Sequence, residues 1–320
     1  MTKTLGYEEF VSVGIVQTTV NFERAWPKSS GAPRMSARQD SHVWQEVCKA
    51  MRAFMDGATQ PKIVILPELS LPRTRLADFE KLVSALNVIA IVGTDYKLDS
   101  KKKVARNEGI VFVPKNFFDN RSSSSCTRII FGKTHAAPGE IKALNSLSPP
   151  WFFKGDENGY LFDVEQYGNV GISICYDFMD LERALLYRGR IQHLFVIAYN
   201  RDLGMFKSLA DSLSRTVFCN VIVCNTGYYG GSTVVSPYYE AHKRTLYSHD
   251  GKNLYTTQVI QLPVAGIVKA LAGDSGSSTL IVDSGSSTPQ LFKDPPPGVG
   301  YDVKLMLNVQ LTDLKGVGPS

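Results

Sequence analysis

The sequence predicts a layered α/β fold. Segments of strand pattern alternate with segments of helix pattern through the first two thirds of the chain. Several strand segments are unbroken apolar runs such as Ile63-Val-Ile-Leu66, the pattern of strands buried on both faces. The segment Ser41–Met55 carries its apolar residues at helical spacing: Val43, Val47, Ala50, Met51 and Phe54.

The elements follow in order. Val11–Val20 is rich in β-branched residues and reads as the first strand. Pro27–Arg38, rich in Ser, Gly, Pro and Arg, reads as a loop before the Ser41–Met55 helix. Pro61 ends that helical stretch and Ile63–Leu66 is a second strand. Ala77–Ser84 is a helix, Val88–Thr94 a strand, and Gly109–Val113 a strand ended by Pro114. Arg121–Thr127 is a polar loop, Ile129–Phe131 a short strand, and Pro138–Asp156 a loop-rich stretch around Pro149-Pro150. Then come the strand Val170–Cys175, helix Leu181–Arg188, strand His193–Ala198, helix Phe206–Phe218 and strand Val221–Cys224. The last quarter changes character. Asp274-Ser-Gly-Ser-Ser-Thr279 recurs at 283–288, predicting two turns around a short strand, Leu280–Val282. Pro295–Gly298 is a loop and Lys304–Leu311 alternates as a closing strand. With no convincing linker, the chain reads as one domain over 1–320. Its core spans about 11–311, with an atypical Ser/Gly/Pro-rich part at 272–300.

Composition narrows the function. The chain has 320 residues, 43% hydrophobic and 20% charged, which suits a globular protein with a sizeable core. Net charge is +5, but the basic residues are scattered and their only run, Lys101–Lys103, reads as a solvated turn. A nucleic-acid face would interleave bases with aromatics along one element, so none is expected. Cys48, Cys126, Cys175, Cys219 and Cys224 are odd in number and form no C-x-x-C pair. That argues against a disulfide framework and for a reducing compartment. His42, His135, His193, His242 and His249 have no zinc-ligand spacing. Met1–Phe10 has no apolar leader stretch, and no apolar run reaches the ~20 residues of a membrane span. A cytoplasmic protein without metal is the expectation.

Three phrases carry chemistry: Ile63-Val-Ile-Leu-Pro-Glu68, Ile129-Ile-Phe-Gly-Lys133 and Gly171-Ile-Ser-Ile-Cys175-Tyr-Asp177. Each places a reactive group at a strand end, where parallel α/β sheets hold their chemistry. Strand alternation puts Gly171, Ser173 and Cys175 on one face. A thiol, a carboxylate and a fixed cation are the parts needed to open a carbon–nitrogen bond through a covalent intermediate.

Together these phrases resemble the nitrilase superfamily of carbon–nitrogen hydrolases. Leu66-Pro-Glu68 looks like the family's Pro-Glu strand end, Lys133-Thr-His135 with Gly139-Glu140 like its lysine stretch, and Gly171–Asp177 like its nucleophile phrase. Gly14-Ile-Val-Gln17 and Asn225-Thr-Gly227 with Gly231-Ser232 add to the likeness, which runs from about Val11 to Pro237. The resemblance implies a four-layer α-β-β-α sandwich and an amidase-type hydrolase that cleaves a small amide or nitrile without a cofactor. It implies Cys175 as nucleophile, Glu68 as general base, and Lys133 with the Tyr176 N–H as oxyanion donors. Glu140 would be a supporting carboxylate, Tyr199 and Asn200 pocket-wall residues, and the protein a homodimer or higher homo-oligomer. Two departures leave subfamily and substrate open. The spacing from Lys133 to Glu140 is one residue shorter than in many relatives, and Cys175–Arg183 lacks their proline.

Two other readings compete. Gly273-Asp-Ser-Gly276 copies a trypsin-like serine phrase, but the histidine phrase and β-barrel pattern of that class are missing from the sequence. A nitrilase-like binding or assembly module without activity is the stronger alternative. Retention of Glu68, Lys133 and Cys175 together favours the enzyme.

Overall fold

The computed structural model describes residues 6–121, 123–272, 291–297, 299 and 308–314. Its centre is a pair of mixed sheets packed face to face. Across the first sheet the strands run Thr256–Pro263, Phe10–Gln17, Ile63–Ile65, Ile89–Gly93, Glu108–Pro114 and Cys126–Gly132. Across the second they run Thr245–His249, Ser232–Val235, Asn220–Asn225, His193–Ala198, Asn169–Ile174, Asn158–Asp163 and Asn308–Asp313. Each sheet has a parallel central triplet: Phe10–Gln17, Ile63–Ile65 and Ile89–Gly93 in one, Asn169–Ile174, His193–Ala198 and Asn220–Asn225 in the other.

Period-2 alternation sorts the apolar residues of the first sheet. Ile15, Ile63, Ile65, Ile91 and Val111 turn inward, into one buried cluster with Ile172, Ile174, Phe195 and Val223 of the second sheet. Val16, Val64, Ala90 and Phe112 turn outward, against Val43, Val47, Met51, Phe79 and Val83 of the helices Ala37–Asp56 and Leu76–Leu86. Helices Leu181–Tyr187 and Leu203–Leu213 cover the second sheet. Gly171 makes room there, since a Cβ on it would lie 3.0 Å from the Tyr187 ring. The result is an α-β-β-α sandwich.

The expected strands and helices of the first two thirds are present, with shifted ends. Ser36 accepts from the Gln39 N–H and caps the first long helix, so that helix starts at Ala37, inside the expected loop. The first strand stops at Gln17 and the expected Phe206–Phe218 helix begins at Leu203, its last turn widening over 214–218. Cys126–Gly132 is longer than expected because Cys126 and Thr127 pair with Pro114 and Val113.

Two readings need correction. Pro138–Asp156 is not mainly loop: Pro138–Asn145 is a helix, with Pro138 in its first turn, and Phe152–Phe153 joins Lys97–Asp99 and Val104–Arg106 in a small third sheet. Cys175 is not in the strand, which stops at Ile174. It opens the 3-10 turn Cys175–Met179 at φ +48°, so alternation does not set its direction. The Asp-Ser-Gly repeats, the strand expected between them, and residues 304–307 of the closing strand lie outside the described residues; the rest of that strand, Asn308–Leu311, is within Asn308–Asp313.

Candidate active site

The topology brings three strand ends to one place. Glu68 follows the parallel strand Ile63–Ile65. Lys133 follows Cys126–Gly132, which two successive antiparallel pairings align with Ile89–Gly93. Cys175 follows Asn169–Ile174 in the opposite sheet. Glu68 and Lys133 are each 2% exposed and Cys175 6%.

Backbone contacts hold each group. Gly93 lets the neighbouring strand close on the Glu68 segment: a Cβ there would stand 2.4 Å from the Glu68 Cα and the Pro67 carbonyl oxygen. Lys133 is pinned at both ends of its peptide, its N–H donating to Asn107 O at 2.9 Å and its carbonyl accepting from Asp156 N at 2.9 Å. The positive φ of Cys175 is uncommon for a residue with a side chain and marks a strained strand-to-turn elbow.

The side chains form one buried network. Lys133 Nζ donates to Glu68 Oε1 and to Glu140 Oε2, both at 2.8 Å. Asn107 Nδ2 donates to Glu68 Oε1 at 2.8 Å and to Glu140 Oε1 at 3.0 Å. Tyr96 Oη donates to Glu140 Oε1 at 2.8 Å. The second sheet reaches across, as the Tyr199 N–H donates to Glu68 Oε2 at 2.8 Å. Despite the short spacing, Glu140 reaches the lysine because it lies in the first turn of Pro138–Asn145, where it also accepts from the Ala137 N–H at 3.3 Å.

The two carboxylates on Lys133 are pushed apart. Burial raises the Glu68 pKa above its ordinary value, more than Lys133 lowers it, and the Glu140 charge raises it further. Glu140 feels burial too, but Lys133 together with bonds from Asn107 and Tyr96 holds it below its ordinary value. Burial opposes the Lys133 charge, yet Glu68 and Glu140 outweigh it and keep its pKa well above the usual lysine range. Burial, then the nearby Glu68 charge, pushes the Cys175 thiol well above its ordinary pKa, so the resting group is a thiol. Such a cluster holds a stable cation, a stable counter-ion and a carboxylate able to take up a proton.

Sequence reasoning missed the braces. Asp177 accepts from the N–H groups of Thr134 and His135, each at 2.8 Å, and so ties the lysine loop to the cysteine turn. Arg183 backs it at 3.7 Å and donates to Thr134 Oγ1 at 2.8 Å. Asp177 and Arg183 stood within the quoted phrases, but nothing in their spacing tells a brace from a surface charge. Asn107 and Tyr96 carried no signal at all.

The cluster floors a cavity of about 720 Å³. Tyr199 and Asn200 line it, as does Tyr176. Asn225 holds this wall, accepting from the Asn200 N–H at 2.8 Å and donating to its carbonyl at 2.7 Å. Among the described residues no group of three or more His, Cys, Asp and Glu could hold a metal ion, and no helix is long and apolar enough to cross a membrane.

No family model matches the sequence, and no curated protein matches it. Solved structures do match in fold. Nit3 of Saccharomyces cerevisiae, from branch 10 of the nitrilase superfamily, is 16% identical with a TM-score of 0.56, over 87% of this chain and 97% of its own. A CN-hydrolase superfamily protein of Xanthomonas campestris, with an arsenic adduct in its active site, is 11% identical with a TM-score of 0.54, over 83% and 95%. A mutant of the amidase from Nesterenkonia sp. AN1, whose active-site cysteine carries the acetamide moiety of fluoroacetamide, is 12% identical with a TM-score of 0.56, over 81% and 92%. At these identities the likeness is one of architecture, and the α-β-β-α sandwich of this chain is the fold of the nitrilase superfamily of carbon–nitrogen hydrolases.

Proposed function

We propose that the chain is a hydrolase of non-peptide carbon–nitrogen bonds that cleaves a small amide through a Cys175 thioester. The observation that carries this is the buried Glu68–Lys133–Glu140 network beside Cys175. An inert scaffold has no physical need for two buried carboxylates around one lysine, since isolating such charges from water costs several kcal/mol per ion.

In this mechanism Glu68 takes the thiol proton as the sulfur attacks the amide carbon. The oxyanion is met by the Lys133 ammonium and the Tyr176 N–H; a donor of this kind contributes roughly 3 kcal/mol or more to the barrier. Protonated Glu68 passes its proton to the leaving amine, which departs as the carbonyl re-forms in the thioester. Glu68 then takes a proton from water as the water oxygen attacks the thioester carbon. The sulfur leaves and recovers that proton from Glu68. Glu140 keeps Lys133 charged and placed throughout. The amidase of similar fold, whose active-site cysteine carries the acetamide moiety of fluoroacetamide, supports a nucleophilic role for a cysteine on this fold.

The test combines reactivity and turnover. Cysteine alkylation is followed against pH by peptide mass spectrometry in the wild type, Glu68→Ala and Lys133→Ala, alongside ammonia release from an amide panel. Expected is rapid labelling of Cys175 that both substitutions alter, and turnover that Cys175→Ala abolishes with the fold intact. Turnover that survives Cys175→Ala would sink the mechanism. A Cys175 as inert as Cys219 or Cys224, and indifferent to both substitutions, would favour the binding-module reading.

A further inference from the structure

The walls above the cluster have a distinct chemistry. Trp26, Tyr96, Tyr199 and Tyr229 line the cavity as a chain of edge-to-face rings, with centroids 6.0 Å apart from Trp26 to Tyr96, 6.1 Å from Trp26 to Tyr199 and 5.4 Å from Tyr199 to Tyr229. The polar tips of three of these rings are already spent on the protein. Trp26 Nε1 donates to Asp95 Oδ1 at 2.9 Å, Tyr96 Oη to Glu140, and Tyr199 Oη to Val20 O at 2.9 Å. Their carbon faces and edges, not their donors, are what they offer a ligand. Leu69 and Phe206 extend the apolar lining.

A second chamber of about 250 Å³ lies against the same wall. Phe22, Trp26 and Tyr96 border both spaces, and Pro33, Ala143 and Leu147 line the second. Trp26, common to both linings, is well anchored, because its partner Asp95 also accepts from the Met35 N–H at 2.8 Å. Lys142 and Arg201 stand on the cavity lining together with Asp202 and the carboxylates of the cluster, so the charge of the lining is mixed and the rings are what set it apart.

We infer that this cavity is a specificity pocket for an amide whose acyl group carries a bulky aromatic or arylalkyl substituent, with Trp26 setting the length it accepts. The inference rests on the hydrolase reading of the same site and names its substrate class. The main cavity is of ligand-pocket size, in the roughly 300–1,000 Å³ range. An acetamide-sized molecule touches only its floor, whereas an aryl group reaches the rings and gains edge-to-face contacts.

The experiment measures kcat/KM by ammonia release from acetamide, phenylacetamide and 4-phenylbutyramide. Expected is an advantage of phenylacetamide over acetamide of about 10-fold or more, the scale on which apolar pockets discriminate. Trp26→Leu should shift preference toward 4-phenylbutyramide. Met205→Trp, at a partly exposed position on the lining, should cut the aryl advantage without a change in the core. Acetamide turned over as well as phenylacetamide by the wild type would overturn the pocket assignment and leave the hydrolase standing. If no amide is turned over, the hydrolase reading falls and the pocket is judged on Cys175→Ala by tryptophan fluorescence. Binding of phenylacetamide tenfold or more tighter than acetamide then upholds the pocket, and equal binding overturns it.

Discussion

The two sheets serve the site in different ways. The first contributes charge: Glu68, Lys133 and the bridging Asn107 all sit on or beside its strand ends, locked by short bonds to one another. The second contributes Cys175, the proposed nucleophile, at a broken strand end, plus single contacts that reach over, the Tyr199 N–H to Glu68 and the Asp177 carboxylate to the lysine loop. One half is a rigid electrostatic frame and the other a strained elbow aimed into it. The lesson is that the site is made at the sheet–sheet interface, so its chemistry depends on packing as well as on the residues that react.

The largest effect should come from emptying the frame. Lys133→Met removes the proposed oxyanion cation and leaves Glu68 and Glu140 facing each other without a counter-charge. Turnover should fall by ~10³-fold or more, and breaking so buried a pair should cost about 3–5 kcal/mol in urea unfolding. Turnover within tenfold of wild type would show that charge is not what the first sheet supplies.

Next comes the brace between the halves. Asp177→Asn turns an amide N–H toward backbone donors that now meet carboxylate oxygens, and it unpairs Arg183. Turnover should drop by ~10²-fold through misplacement alone, with the cluster residues untouched. Rescue by no other change than Asp177→Glu would be surprising, because the two bonds need the shorter side chain; full activity in Asp177→Asn would break the idea of a brace.

A smaller effect sharpens the assignment of the two carboxylates. The acid limb of kcat/KM should lie above the ordinary carboxylate range, because burial raises Glu68. The Glu140 charge favours protonated Glu68, so in Glu140→Gln what remains of the activity should show this limb moved to lower pH, by about one unit. An upward move would reverse the roles of base and counter-ion.

The smallest effect on turnover concerns a buried polar pair away from the cluster. His193 is held neutral: its Nε2 lies 2.9 Å from Tyr167 O and its Nδ1 3.1 Å from Asn220 Nδ2, which also donates to Pro263 O at 2.8 Å. Burial lowers its pKa from 6.5 to about 4. Between those values the unfolded chain binds a proton that the folded one refuses, so His193 costs stability as pH falls from 6.5 toward 4. His193→Gln should flatten that part of the stability–pH curve, by roughly 3 kcal/mol at its acid end, with turnover little changed. An unaltered slope would mean that His193 does not titrate this way.

Much of this was readable from residues. The Val/Ile runs of Ile63–Leu66, His193–Ala198 and Val221–Cys224 marked strands because hydrophobic patterning is local. Glu68, Lys133 and Cys175 stood out because each closes such a run. The helix at Pro138–Asn145 was hidden because its single buried side chain, Leu144, gives no periodicity, while Pro149-Pro150 suggested loop. Asn107 was illegible for another reason. Its value lies in bridging residues 39 and 33 positions away, a relation that only the folded sheet creates.

The network beside Cys175 holds two carboxylates for one ammonium, and that surplus bears on which way traffic flows. A neutral amide enters such a place without meeting like charge. In the proposed mechanism the acid leaves the sulfur with its own proton and, once ionised, is an anion beside Glu68 and Glu140, in a setting where water screens little. The same charges that prepare the thiol would therefore evict the product, giving turnover a direction and making the free acid a poor inhibitor.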